Sequence, residues 1–371
     1  MGVLSLAVLG LTLQPAAPSD ATGVRAEPVA VEPDLDAERL LAADQAAGRG
    51  LDWLAGMQRP DGYWSADVGH KQGDDYLVLR SGRSNDLLGQ GHVGVSALAG
   101  MAFLAGGHLP DRGPHGATVR RCVDYMLSAV SDSGVITDGG TRMYSHAFAT
   151  LFLAEVHGMA GGPEVRSALE RAVHLIVDCQ NAQGGWRYNP FTTEADMSVT
   201  VCQLQALRAA RNIGIRVPKR TIDDAVAYVL RARTPQGLYY YRTAGIRSRT
   251  KDREFAINAA ALTALTSAGV HAPAFHEATL DWLMEEYARV RRFDHEHFYY
   301  WYGNYYACQA FFQSGGDRFR SYQRRLVDDL LASQAADGRW RNSTGPGDVF
   351  STAVATLLLQ LPKQYLPIFQ R

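Results

Sequence analysis

Gln180-Asn-Ala-Gln-Gly184-Gly-Trp186 decides the fold, because the chain repeats it. Gln58-Arg-Pro-Asp-Gly62-Tyr-Trp64 and Gln334-Ala-Ala-Asp-Gly338-Arg-Trp340 share its frame: Gln, three residues, Gly, one residue, Trp. Two looser copies keep that frame, from Arg233 through Gly237 to Tyr239 and from Val130 through Gly134 to Ile136. Gly134, Gly184 and Gly237 are 50 and 53 residues apart, and Gly338 follows Gly237 by 101, or two units. A fixed period of about fifty residues signals units that each bury an apolar face against the next.

Each turn follows an amphipathic helix. Trp53, Leu54 and Met57 form one apolar stripe, and Leu175, Ile176 and Cys179 form the same stripe two units on. Charged residues flank both, as on a helix with one wet face. The Gly suits the positive φ at a helix C-terminus, the Gln amide can bond backbone groups left free there, and the Trp ring can shield them. A second kind of helix follows each turn, apolar nearly all round and rich in small residues: 91–107, 143–160, 196–214, 253–269, 300–316 and 348–361. Such helices are buried on most sides. Their wetter partners start near 43, 115, 165, 219, 275 and 319. Six dry and six wet helices in alternation predict an all-α fold, a single α6/α6 toroid with an inner ring inside an outer one.

The frame Arg49-Gly50-x-x-Trp53-Leu54-x-x-x-Gln58-x-x-x-Gly62-x-Trp64, matched by the copy from Arg171 to Trp186, resembles the QW motif of squalene cyclases and the repeat of protein prenyltransferase β-subunits. The resemblance covers residues 43 to 371, although the fifth copy, around Arg289 to His297, has lost its Gln and Gly. It is most similar to a bacterial, planctomycete-type group of these repeat proteins, through Met143-Tyr-Ser-His146, Gly185-Trp-Arg-Tyr188, Tyr299-Tyr-Trp-Tyr302 and the C-terminal Tyr365-to-Arg371 segment. The resemblance implies the toroid and a ligand at its mouth, an isoprenoid or other lipid first of all; fold alone does not imply function.

The chemistries of these families match only in part. A squalene-hopene cyclase protonates an alkene with Asp-x-Asp-Asp, and the nearest run here is Glu194-Ala195-Asp196-Met197. Such an acid must be held protonated by burial and neighbours; the alternative is that the pair caps a helix and complements its dipole. The cyclases also need two barrels, and 371 residues hold one. The prenyltransferase zinc set needs Asp-x-Cys, which is absent, and the Cys-Gly-Glu-Gln run of complement-type thioester domains is absent too. No metal or other cofactor is therefore expected, although His295 and His297 in Asp294-His-Glu-His297 have a spacing that could ligate a metal with a carboxylate. Catalysis itself is left open.

The N-terminal ends of the inner helices should converge on one mouth, which makes Asp196, Glu194 and His146 the candidate catalytic groups. His92, Tyr144, Arg253, Glu254, His297, Trp301, Tyr302 and Asp348 are the candidate binding groups. Two long connections, Asp67 to Gln90 with Asp74, Asp75, Arg80, Arg83 and Asp86, and Arg247 to Glu254, should lie over the same mouth. Two further readings stand beside the lipid one: a non-catalytic scaffold for a protein or peptide, and a carbohydrate-active α6/α6 enzyme drawing a carboxylate pair from Asp67, Asp74, Asp75, Glu194, Asp196 and Asp348.

Composition excludes less. A formal net charge of −1 argues against nucleic acid, which needs a surplus of Lys and Arg. The apolar run from Val3 to Leu13, followed by Pro15, Ala16 and Ala17, reads as a secretory signal, so residues 1–26 are assigned to it and the start of a tether, 27–42 to a linker and 43–371 to the barrel. Export is the expected destination. Later runs are too short or too polar for a transmembrane helix. Cys122, Cys179, Cys202 and Cys308 are widely spaced and read as small buried apolar residues.

Overall fold

The computed structural model describes residues 35–72, 75–78, 91–139, 141–243, 254–293 and 296–370. The residues assigned to a signal peptide lie outside this set. The inner helices are α2 (Val93–Ala105), α4 (Met143–Ala160), α6 (Met197–Asn212), α8 (Phe255–Ser267), α10 (Phe298–Ser314) and α12 (Asp348–Gln360). The outer helices are α1 (Ala37–Met57), α3 (Gly116–Ser128), α5 (Pro163–Asp178), α7 (Lys219–Arg231), α9 (Pro273–Phe293) and α11 (Gly316–Ser333). Inner helices pack in the order α2, α4, α6, α8, α10, α12 and back to α2, so the ring is closed. Every outer helix bridges two inner ones, α1 spanning α12 and α2 across the join between the chain's two ends.

The expected linker ends sooner than residue 42. Asp36 Oδ1 accepts the Arg39 backbone N–H at 2.8 Å, so α1 starts at Ala37. The connection after Asp67 contains an antiparallel hairpin, β1 (Val68–Gln72) and β2 (Asp75–Val78), which the helical periodicity did not announce.

The repeated turn works as a latch between neighbouring units. Gln180 Nε2 donates to Gly184 O at 2.9 Å and to Thr221 O, in the first turn of the next outer helix, at 2.8 Å. Gln58 does the same to Gly62 O and Thr118 O, and Gln334 to Gly338 O and Ala46 O. Each Trp indole N–H reaches back to its own outer helix: Trp64 to Leu54 O, Trp186 to Ile176 O and Trp340 to Leu330 O, all at 2.8 Å. Gly is required twice over at these turns. Gly184 has φ +82°, and a Cβ there would lie 2.3 Å from Asp224 O on the next outer helix.

A second rule sits at the start of the inner helices. Side chains at Ser96, His146, Thr200, Asn258 and Thr352 accept the backbone N–H of the residue two after the repeat Gly, namely Trp64, Ile136, Trp186, Tyr239 and Trp340. The degraded fifth unit has other bonds: Tyr287 O–H and Arg291 Nε both reach Asp329, at 2.7 and 2.6 Å, and Tyr322 O–H donates to Asn304 Oδ1 at 2.6 Å.

The far end of the barrel is covered by the chain's last residues. Two short 3-10 turns, Leu361–Lys363 and Pro367–Phe369, bury Leu361, Leu366, Ile368 and Phe369, and the second touches α4 and α6. The Ile368 N–H donates to Glu155 Oε2 at 3.2 Å. All four cysteines are free and buried.

Candidate functional site

An outer helix returns the chain between successive inner helices, so all six inner helices point the same way. Their N-termini, with the partial positive charge of unpaired N–H groups, meet at one mouth. Its best-formed part is built by α4, α6 and α10 with the loop 187–196 and the residues after Tyr239.

Asp196 stands at the centre of it. Its residue is fully buried; Oδ1 accepts the Val199 N–H at 2.9 Å and the Ser198 hydroxyl at 2.6 Å, making it the N-cap of α6. Oδ2 faces Arg187 Nη1 at 3.6 Å. Arg187 also meets Glu194 Oε2 at 3.5 Å, and Arg242 closes on the same oxygen at 2.9 Å. A chain of alternating charge thus runs from buried Asp196 to half-exposed Glu194. Two donors on one oxygen and a guanidinium beside the other stabilise the carboxylate anion. Of the two readings of Glu194-Ala195-Asp196-Met197, the helix cap is the one whose bonds are seen: Asp196 is the ion-paired N-cap of α6.

Tyrosines surround this pair. Tyr188 O–H and Tyr241 O–H are 2.5 Å apart, and the Tyr144 ring stacks on Tyr188 with centroids 6.1 Å apart. Tyr302 meets Tyr144 edge-on at 6.5 Å, and its hydroxyl reaches Ser198 O at 3.4 Å. Burial pushes the Tyr144 and Tyr302 hydroxyls far above their ordinary range, yet both residues keep partial exposure. Both lie at the mouth, where solvent still reaches them. Beneath it Tyr306, Tyr305, Phe148 and Cys202 fill the barrel axis; Cys202 Sγ lies 3.0 Å from Tyr306 O–H, and burial lifts its thiol to about 12.

The other expected site residues divide. His146 is a correction: it is fully buried, accepts the Ile136 N–H at Nδ1 (3.1 Å) and therefore donates from Nε2 to Ala172 O (3.2 Å). With both nitrogens bonded to backbone and burial driving the ring down to about 4, it is a structural histidine. Trp301 is a second correction, since it is buried at the α10 position that His146 holds in α4. His92 and His297 cap α2 and α10 through Nδ1, accepting from Val95 and Tyr299. Burial pushes His92 down to about 4 against the pull of nearby Asp138. Asp348 is the first residue of α12, accepting the Asn342 N–H at 2.8 Å and facing Arg339 at 3.3 Å. Asp67 packs on the backbone at Gly347, and Glu254 precedes α8 with its carbonyl accepting from Asn258. Arg253, Asp74, Arg80, Arg83, Asp86, Asp294 and His295, and the side chain of Asp75, lie outside the described residues. Among the described residues no three His, Cys, Asp or Glu side chains gather as metal ligands.

Sequence reasoning missed Arg187, Tyr188, Tyr241 and Arg242. Part of the signal was available: in four of the five copies the residue four after the repeat Gly is polar, namely Asp138, Tyr188, Tyr241 and Asn342, the first copy having Ala66 there.

Neither a protein-family model nor any curated protein sequence matches the chain. Solved structures do. The chain is similar to an α-1,6-mannanase of a Salegentibacter species, solved as an inactive variant with α-1,6-mannotriose (TM-score 0.60, 7% identity, 86% of this chain and 98% of that one). It is similar to a cellobiose 2-epimerase of Spirochaeta thermophila (0.60, 16%, 88% and 96%). A type II terpene cyclase of Scytonema, solved with geranylgeranyl dihydroxybenzoate, matches too (0.55, 12%, 89% and 99%). These are all-α toroids, and at such identities the likeness establishes the fold alone. No helix among the described residues is long and apolar enough to cross a membrane.

Proposed function

We propose that this protein binds carbohydrate in the tyrosine-lined recess at the mouth of its inner ring. The observation that carries the reading is the lining itself: half-buried Tyr144 and Tyr302 bring aromatic rings and hydroxyls to the mouth, backed by buried Tyr188 and the ion-paired Asp196 and Arg187. A sugar presents apolar C–H faces and a rim of hydroxyls that donate and accept, which suits this mixture. An isoprenoid, the first expectation from the repeat resemblance, has no donors or acceptors to match the polar groups of this mouth. It remains the second reading because aromatic faces also stabilise cationic intermediates. Similarity to toroids solved with or named for both kinds of ligand is compatible with either.

The test pairs two measurements on the purified protein. Calorimetric titration with glucose- and mannose-based saccharides should show binding that Tyr144→Ala removes while the melting temperature stays near that of the parent. Mass spectrometry of an organic extract should find no stoichiometric lipid. A bound isoprenoid together with no saccharide binding reverses the order of the two readings; a bound peptide in the aqueous extract favours the scaffold instead.

A further inference from the structure

Phe191 breaks two rules at once. It stands 69% exposed, and its φ is +56°. A large side chain gains nothing from water, and the left-handed region strains any residue with a Cβ other than Asn or Asp. It follows Pro190 in a turn whose third position ordinarily takes Gly or Asn. The turn is not loose. The Phe191 N–H donates to Cys179 Sγ, Thr192 Oγ1 donates to Asn189 O and Glu194 O, Asn181 Nδ2 to Glu194 O, and Arg142 to Asn189 Oδ1. A braced loop holding an exposed aromatic in a costly conformation is a choice that stability does not explain.

The place of the loop says what the ring is for. Both of its ends are in the recess: Arg187 and Tyr188 at the start, Glu194 and Asp196 at the finish. Three peptide units separate Phe191 from Tyr188, so their Cα atoms are at most about 11 Å apart. Phe191 is thus an exposed aromatic ring carried on the same short loop as Arg187, Tyr188 and Asp196 of the mouth.

We propose that Phe191 forms an outer subsite on which a second sugar ring packs as the ligand leaves the recess, so that the ligand is an oligosaccharide or a polysaccharide chain and not a monosaccharide. This rests on the carbohydrate reading and adds chain length to it. The strain at Phe191 is then kept for binding, the exchange of stability for function seen at other sites.

The experiment compares Phe191→Asn with the parent on a size series of glucose and mannose oligomers from one to six units. Asn tolerates the left-handed conformation, so the variant should melt at least as high as the parent, by about 1 °C or more above it. Its affinity for oligomers should fall about tenfold, while that for the monosaccharide stays unchanged. Unchanged oligomer affinity in a folded variant overturns the outer subsite and leaves the carbohydrate reading standing. Equal loss for monomer and oligomers also overturns it, because Phe191 would then shape the recess and not extend it. Absence of binding by the parent to every member of the series removes the carbohydrate reading and this inference together.

Discussion

Burial holds the His146 imidazole at about 4, against about 6.5 for an unhindered histidine, and two backbone bonds require the neutral ring. Below pH 6.5 the unfolded chain takes up a proton that the folded one refuses. Stability present above 6.5 is therefore lost as the pH falls toward 4, by on the order of 3 kcal/mol. Urea denaturation at pH 7 and pH 5 measures this. His146→Asn should flatten that slope while keeping the fold, because Asn258 already does the same task for the Tyr239 N–H in the fourth unit. His146→Leu leaves the buried Ile136 N–H unbonded and should cost about 1–3 kcal/mol. Sequence alone put a titratable histidine at the start of an inner helix and suggested chemistry there. The deciding fact, that this position looks toward the outer ring and not the axis, belongs to helix rotation, which an all-apolar helix does not disclose. Asp196 was legible for the opposite reason: its capping role follows from local geometry, whereas Arg187 beside it comes from a loop.

At the scale of one helix and its turn, each latch asks its glycine for positive φ and for no side chain. Gly184→Ala would drive a methyl into Asp224 O and should cost well over 2 kcal/mol. Gly269 also has positive φ, but a Cβ there would meet nothing within 4 Å. Gly269→Ala should therefore cost only the conformational strain, about 1 kcal/mol. Thermal melts of the two variants separate crowding from backbone strain; equal losses would show that the close approach to the next helix has no weight. The period of these glycines made the fold readable, since every unit repeats one solution to one problem: how to end a helix against its neighbour. The helix bounds expected from it differ from those observed by a few residues at most, the largest being the start of α1. The fifth unit and the hairpin after Asp67 escaped because they leave the pattern, the one through an Asp329 cluster and the other through strands within a long connection.

Across the whole molecule the two ends of the barrel differ. The mouth is charged and lined with tyrosine; the far end is shut by the terminal segment over Glu155. Burial raises that carboxyl to about 8, so the folded protein holds a proton that the unfolded chain releases near 4.5. Its contribution is complete below 4.5 and declines as the pH rises through 8. Glu155→Gln, which can still accept the Ile368 N–H, should remove this decline; hydrogen exchange of residues 365–370 at pH 6 and pH 9, divided by the base-catalysed intrinsic rate at each pH, should show protection lost at the higher pH in the parent only. A parent segment with the same protection at both values would detach the strap from Glu155.

The latch from Gln334 to Ala46 has the same partners as those inside the chain, but it differs in one respect. At five of the six joints between neighbouring hairpins the polypeptide itself runs across, so side-chain bonds and a covalent tether act in parallel. At the sixth no peptide crosses. Arg49 on Gln334 Oε1, Arg39 on Asp328, Trp340 beneath Gly50 and the packing of α1 and α2 on α12 hold the circle shut by contact alone. This protein is topologically a strip bent round until its ends clasp, and the clasp between α11 and α1 is a seam made wholly of non-covalent contact.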